Sequence, residues 1–132
     1  PPQTKKRRMR KIGDSRYTQV YVIDEPNEKS KACHVYDVQK SGARDDGKLP
    51  AKEDSLAVIT FQKGPIKEAG VNGCHNEDLL VIVLDRLNGF QWSEFKCREN
   101  AIAITKIEEA LLWLNKRTRE REARGVEGTS KV

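Results

Sequence analysis

The sequence is poor in aromatic residues and has no long apolar run. Phe, Trp and Tyr make up 6% of the 132 residues and all apolar residues 36%, which predicts one modest core. Part of the apolar surface is therefore expected to be buried between subunits. No stretch approaches the roughly 18 to 20 apolar residues of a membrane span, and no signal peptide is recognisable. We expect a soluble protein that is not secreted.

The few cysteines exclude a disulfide framework and offer no familiar metal motif. Cys33, Cys74 and Cys97 are odd in number and widely spaced, which fits a reducing, intracellular compartment. Two of them precede a histidine, but no CxxC or HxxxH spacing is present. The chain also lacks GxSxG, HExxH, Walker and GxGxxG motifs. We therefore predict no metal, no cofactor and no catalytic residue.

The positive charge is concentrated at the start of the chain. The segment PPQTKKRRMRK carries six cations, so residues 12–132 sum to 5 − 6 = −1. It has no apolar periodicity, and we predict a disordered basic arm over residues 1–15. Such an arm suits a small nucleic-acid-binding regulator, which is the alternative function, or it is a solubilising tail. The near-neutral body makes nucleic acid an unfavoured partner.

The first half of the chain predicts a small antiparallel sheet. The segments RYTQVYVID, KACHVYDV and SLAVITFQ are rich in β-branched and aromatic residues and predict strands at residues 16–24, 31–38 and 55–62. Glycines and a proline follow in KGPIKEAGVNG and end the sheet. We assign residues 16–69 to the sheet region.

The second half predicts a helical hairpin over residues 70–132. Asn76 is the expected N-cap of a first helix that ends at Asn88-Gly89. Ser93 is the expected cap of a second, long helix that meets no proline or glycine before Gly125. The fold class is therefore α+β, with an N-terminal sheet and a C-terminal hairpin that oligomerises through its helices.

One face of the long helix carries apolar residues and then cations. Arg117 and Arg121 lie one turn apart on it and repel each other unless an anion, from a ligand or from a partner chain's Glu, lies between them. Asn100 is 17 residues before Arg117, about 25 Å along the helix, so one nucleotide can touch both only between two antiparallel chains. Phe90, in the bend, is placed to stack on a base. The face comprises Asn100, Ala103, Ile107, Ala110, Leu114, Arg117, Arg121 and Arg124.

The strings RENA, KIEEAL, KRTR and ARGVEGT carry a family resemblance. Residues 70–131 resemble the helical hairpin shared by two bacteriophage anti-defence families, the anti-CBASS cyclic-nucleotide sponge and the first Thoeris anti-defence protein. A sheet precedes the hairpin here, so the chain looks more like the Thoeris family. That resemblance implies a phage protein in the cytoplasm of the infected host that binds glycocyclic ADP-ribose without cleaving it. A signal-degrading enzyme is a further, less supported alternative.

The resemblance also implies site residues and an assembly. Phe90 would stack on the ligand, Asn100 would contact it, and Arg117 and Arg121 would clamp its phosphates. A second nucleotide site, used for cyclic trinucleotides, would lie at Arg124, Gly128 and Thr129. The family implies a homodimer, which in some members assembles into a hexamer as a trimer of dimers.

Overall fold

Four antiparallel strands form the N-terminal part of the protein. The computed structural model describes residues 9–26, 31–42 and 52–132. Within them, the strands lie in the order β1-β2-β3-β4, so each strand pairs with the next one along the chain. This confirms the predicted small antiparallel sheet. The strands are β1 (Arg10–Asp14), β2 (Thr18–Val22), β3 (Val35–Lys40) and β4 (Ser55–Thr60).

Strand β1 corrects the predicted extent of the basic arm. Arg10 pairs with Val22 and Asp14 with Gln19, with a register shift between Lys11 and Gly13. Charged side chains are compatible with such a strand because it lies at the edge of the sheet and pairs through its backbone. Residues 1–8, the rest of the predicted arm, lie outside the described residues.

The buried centre of the sheet is largely polar. Tyr21, Asp37 and Gln39 are almost fully buried. The Gln39 side-chain amide donates to one Asp37 carboxylate oxygen at 3.0 Å, and the Ser55 hydroxyl donates to the other at 2.6 Å. Buried polar groups are tolerated when they are hydrogen-bonded in this way. Hydrogen-bonded polar side chains thus fill part of the buried space of the sheet, which is consistent with the small share of apolar residues.

The carboxylate of Asp24 fastens the start of β3. It accepts hydrogen bonds from the backbone N–H groups of His34 at 2.9 Å and Val35 at 2.8 Å, and His34 Nδ1 lies 3.3 Å away. Burial by itself would raise the pKa of Asp24, but these hydrogen bonds outweigh it and lower the pKa. The ionised carboxylate therefore stabilises the connection between β2 and β3.

Three helices follow, and two of them form the predicted hairpin. A short helix α1 (Ile66–Ala69) precedes α2 (Asn76–Gln91) and α3 (Arg98–Ala123), and α2 and α3 pack against each other. At 26 residues α3 is about 39 Å long. By their internal contacts the described residues form two compact units, one comprising 9–26, 31–42, 52–64 and 71–73, the other 65–70 and 74–132.

The ends of the long helices differ from the predicted ones. The N-cap of α2 is His75, whose backbone N–H donates to the Asp78 carboxylate at 2.9 Å. Helix α2 continues through Asn88 and Gly89 to Gln91, because the Trp92 N–H still bonds the Asn88 carbonyl at 3.1 Å. A single glycine weakens a helix by only about 1 kcal/mol relative to alanine, so surrounding contacts can override it.

The bend between α2 and α3 is built on Ser93, which was predicted to cap α3. Its hydroxyl donates to the Phe90 carbonyl at 2.7 Å and accepts from the Phe95 N–H at 3.1 Å. Helix α3 instead begins after Cys97, whose N–H donates to the Gln91 side chain at 2.9 Å. Ser93 therefore closes the end of α2.

Exposed apolar side chains occur on α2, on α3 and in the bend between them. They include Val81, Ile82, Val83, Trp92, Phe95, Leu112 and Trp113. None of the helices in the described residues is long and apolar enough to cross a membrane.

Candidate functional site

A groove at the bend end of the hairpin surrounds Phe90. It has a volume of about 630 Å³, within the usual range for small-molecule sites. The residue Phe90 is 37% exposed and Phe95 is 66% exposed, so both can offer aromatic surface to a ligand. We call this the Phe90 groove; its lining residues are Ile82, Asp85, Arg86, Gly89, Phe90, Ser93 and Phe95.

The groove depends on α2 running three residues past the predicted stop. Ile82, Arg86 and Phe90 are spaced by four and therefore lie on one face of a continuous helix. If the helix ended at Asn88-Gly89, as predicted, Phe90 would lie in a loop and would not share a helix face with Arg86. The spacing of four residues between Ile82, Arg86 and Phe90 was the sequence signal that could have identified the neighbours of Phe90. Sequence reasoning therefore found Phe90 and missed its neighbours.

Asn100 lies near the start of α3, and Arg117 lies in the C-terminal half of the same continuous helix. Asn100 is half-buried in the first turn of α3 and does not line the Phe90 groove. Arg117 is exposed, and its guanidinium makes no hydrogen bond or ion pair with any other residue that the structure describes. Their separation of 17 residues corresponds to about 25 Å along the helix. Within one chain these two predicted site residues cannot hold the same small nucleotide.

The neighbouring cation Lys116 already has a partner. Its ammonium lies 2.6 Å from the Glu120 carboxylate, as the helical spacing predicts. The hydrogen bond and the charge of Lys116 lower the pKa of Glu120. Arg117 differs from Lys116 in having no such carboxylate among the residues that the structure describes.

The Arg121 guanidinium already binds polar groups of its own chain. Its side chain is buried, with 9% of the residue exposed. The guanidinium donates to the carbonyls of Val126 at 3.0 Å and Thr129 at 3.2 Å, and its Nε lies 3.4 Å from the Glu127 carboxylate. The anion next to Arg121 is thus a carboxylate of the same chain. These contacts use Nη2 and Nε, so among the described contacts of Arg121 the Nη1 donors are the ones left for a ligand phosphate.

The three residues predicted for a second nucleotide site lie together in the C-terminal turn. Arg124 donates to the Val132 carbonyl at 3.0 Å. The Gly128 carbonyl accepts from the Lys67 N–H at 3.0 Å, and Gly128 has a positive φ of 76°. The Thr129 hydroxyl donates to the Val126 carbonyl. The turn is therefore fastened at several points, and its predicted role as a ligand site stays a prediction.

The apolar part of the predicted helix face is partly covered within the chain. Ala103, Ile107, Ala110 and Leu114 are half-buried.

Within the described residues no group of three or more His, Cys, Asp or Glu side chains could hold a metal ion. The three cysteines are free thiols, and Cys97 is exposed.

Comparison with known proteins places these features in a family. Residues 47–119, more than half of the chain, match the family model described as the Acb2/Tad1 hairpin domain. A protein of Bacillus phage SBSphiJ7 named Thoeris anti-defense 1 is 47% identical over 129 residues, which cover 87% of this chain and 91% of the relative. The family match covers all of α2 and most of α3. The chain therefore belongs to the Acb2/Tad1 hairpin family, together with Thoeris anti-defense 1.

Proposed function

We propose that the protein is a phage anti-defence sponge that binds a cyclic nucleotide immune signal and holds it without cleaving it. The signal is glycocyclic ADP-ribose, and the site of action is the cytoplasm of the infected host. Membership of the family that contains Thoeris anti-defense 1 supports the anti-defence role. The observation that carries the chemistry is the Phe90 groove, which offers an exposed ring beside a guanidinium.

The proposed binding site is composite and formed by two chains. Phe90 and Asn100 supply a stack and an amide near the bend, whereas Arg117 lies about 25 Å farther along α3. Two hairpins crossing antiparallel would bring the bend of one beside Arg117 of the other. The exposed apolar side chains of the hairpin give such a dimer a surface to bury. A hexamer would be a trimer of these dimers.

In this site Arg117 would compensate the ligand's phosphate charge. Its guanidinium is exposed and has no carboxylate partner among the described residues, so a phosphate can bind it without breaking an existing ion pair. Arg121, with its contacts to the C-terminal turn, would support the helix end and could offer a ligand only the Nη1 donors without breaking these contacts. We therefore give Arg117 the larger share of phosphate binding.

The nucleic-acid alternative has less support. Arg10 and Lys11, two of the six N-terminal cations, lie in β1, and Lys11 is within 3.8 Å of the Asp14 carboxylate. The contact with Asp14 partly neutralises Lys11, which weakens its attraction to a phosphate backbone.

Calorimetric titration with glycocyclic ADP-ribose, and separately with a cyclic triadenylate, tests the proposal. We expect tight binding of the first at about one ligand per chain, with the intact ligand recovered by chromatography after heat denaturation. Mass measurement of the complex in solution should give a dimer or a multiple of it. Recovery of a cleaved product would contradict a sponge, and failure of both ligands to bind would contradict signal capture altogether.

A further inference from the structure

Arg86 covers the ring that the proposed ligand would stack on. Its guanidinium carbon lies 5.2 Å from the centroid of the Phe90 ring. Among the described residues this guanidinium makes no hydrogen bond or ion pair. The cation is therefore held by a ring face alone, a contact worth about 0.5 to 1 kcal/mol at an exposed site.

The hairpin contains a second cation beside a ring, and the comparison shows what is unusual about Arg86. Lys116 lies 6.0 Å from the Trp113 ring centroid, but it also binds the Glu120 carboxylate at 2.6 Å. In the described part of the chain, no carboxylate binds Arg86 in this way. The Arg86 side chain can consequently move away from the Phe90 ring at a small cost in free energy.

The spacing between Arg86 and Phe90 is too small for a base to lie between them. Two stacked contacts of about 3.5 Å each require about 7 Å between the outer planes. The observed 5.2 Å would have to grow by about 2 Å, which a rotation of the long Arg86 side chain can supply. A base that entered would then be covered by the guanidinium on its outer face, an arrangement that arginine planes favour.

The other groove residues favour the base end of a nucleotide over its phosphates. Asp85 is exposed and lines the same groove, and its carboxylate repels phosphate while accepting hydrogen bonds from amino or hydroxyl groups. Ile82 and Phe95 add apolar wall. Because the charge of Asp85 offsets that of Arg86 in the groove, the main phosphate contact in the proposed site is left to Arg117.

We propose that Arg86 is a movable cover of the Phe90 groove, which lies on the ring in the free chain and stacks on the outer face of the bound nucleotide base. The inference rests on the proposed function, since that supplies the nucleotide. It assigns Arg86 to retention of the ligand: the cover slows release more than it speeds capture.

Association and dissociation rates of glycocyclic ADP-ribose, measured by surface plasmon resonance, test the cover. We expect Arg86→Ala to release the ligand about tenfold faster, the equivalent of one lost stacking contact, with little change in the association rate. Arg86→Lys, which keeps the charge but loses the planar group, should be intermediate. Arg119→Ala, an exposed cation of α3 outside the groove, is the matched control and should behave as the parent protein.

The outcomes separate the two proposals. If the parent binds and Arg86→Ala releases the ligand at the parent rate, the cover is refuted while the sponge stands. If the parent does not bind, both are refuted. Thermal melts followed by circular dichroism should be unchanged in all three variants, because these side chains lie on the helix surface.

Discussion

Replacing Arg121 with methionine tests whether this residue is part of the scaffold before any ligand binds. The substitution keeps most of the side-chain volume and removes the guanidinium from the carbonyls of Val126 and Thr129 and from the Glu127 carboxylate. These groups would lose their partner in a region where Arg121 itself is 9% exposed.

The expected loss of stability follows from these contacts. Each hydrogen bond from a charged donor contributes about 1.5 to 3 kcal/mol to the free energy of unfolding. The Glu127 side chain is partly exposed, although the oxygen that faces Arg121 is buried, so solvent screening discounts the sum only in part. We expect Arg121→Met to lower the free energy of unfolding by about 2 to 3 kcal/mol.

Urea denaturation without ligand, at one fixed protein concentration, measures this loss. Hydrogen exchange should also show faster opening of the backbone amides in residues 124–132, because the C-terminal turn loses its anchor. Arg119→Met, at an exposed position of the same helix, is the control and should change stability by less than about 0.5 kcal/mol. Equal effects of the two substitutions would refute the scaffold role.

Three further predictions follow from individual contacts. Arg117→Ala should leave stability unchanged but weaken glycocyclic ADP-ribose binding by about 2 to 4 kcal/mol in calorimetry; unchanged affinity would contradict its phosphate role. Asp24 has a lowered pKa when folded, so its stabilisation is complete above the unfolded value of 3.8 and is lost as pH falls through the lower folded pKa. Asp24→Asn should thus cost about 1 to 2 kcal/mol at pH 7, and its difference from the parent should shrink in urea titrations below pH 4; a gap independent of pH would argue against this linkage. Gly73→Ala would place a Cβ 2.4 Å from the Phe61 carbonyl carbon and should cost about 2 to 3 kcal/mol, whereas Gly89→Ala, with open space around it, should be neutral or stabilising in the same assay; a neutral Gly73→Ala would show that the backbone there can move aside.

Local sequence patterns predicted most of the fold. Strands β2, β3 and β4 appeared as β-branched and aromatic segments bounded by turn residues, and the unbroken stretch before Gly125 indicated one long helix. These signals work because the side-chain periodicities of strands and helices repeat within a few residues. Strand β1 was missed because its cations hid a short edge strand that pairs through backbone groups.

The Phe90 groove is a feature that such local patterns did not predict. Asn88-Gly89 is a local stop signal, yet α2 continues through it and the Ser93 hydroxyl closes the bend three residues after Phe90. Only with that end in place does Arg86 lie over the ring.

The two arginines of the predicted clamp show the same division most clearly. The sequence by itself determined that Arg117 and Arg121 share a helix face, since four residues make about one turn. Only the tertiary structure decided that Arg121 is buried against the carbonyls of Val126 and Thr129 while Arg117 stays exposed. The physical reason is that helical periodicity fixes the direction of a side chain, whereas its partners depend on where the turn after Gly125 brings the chain back.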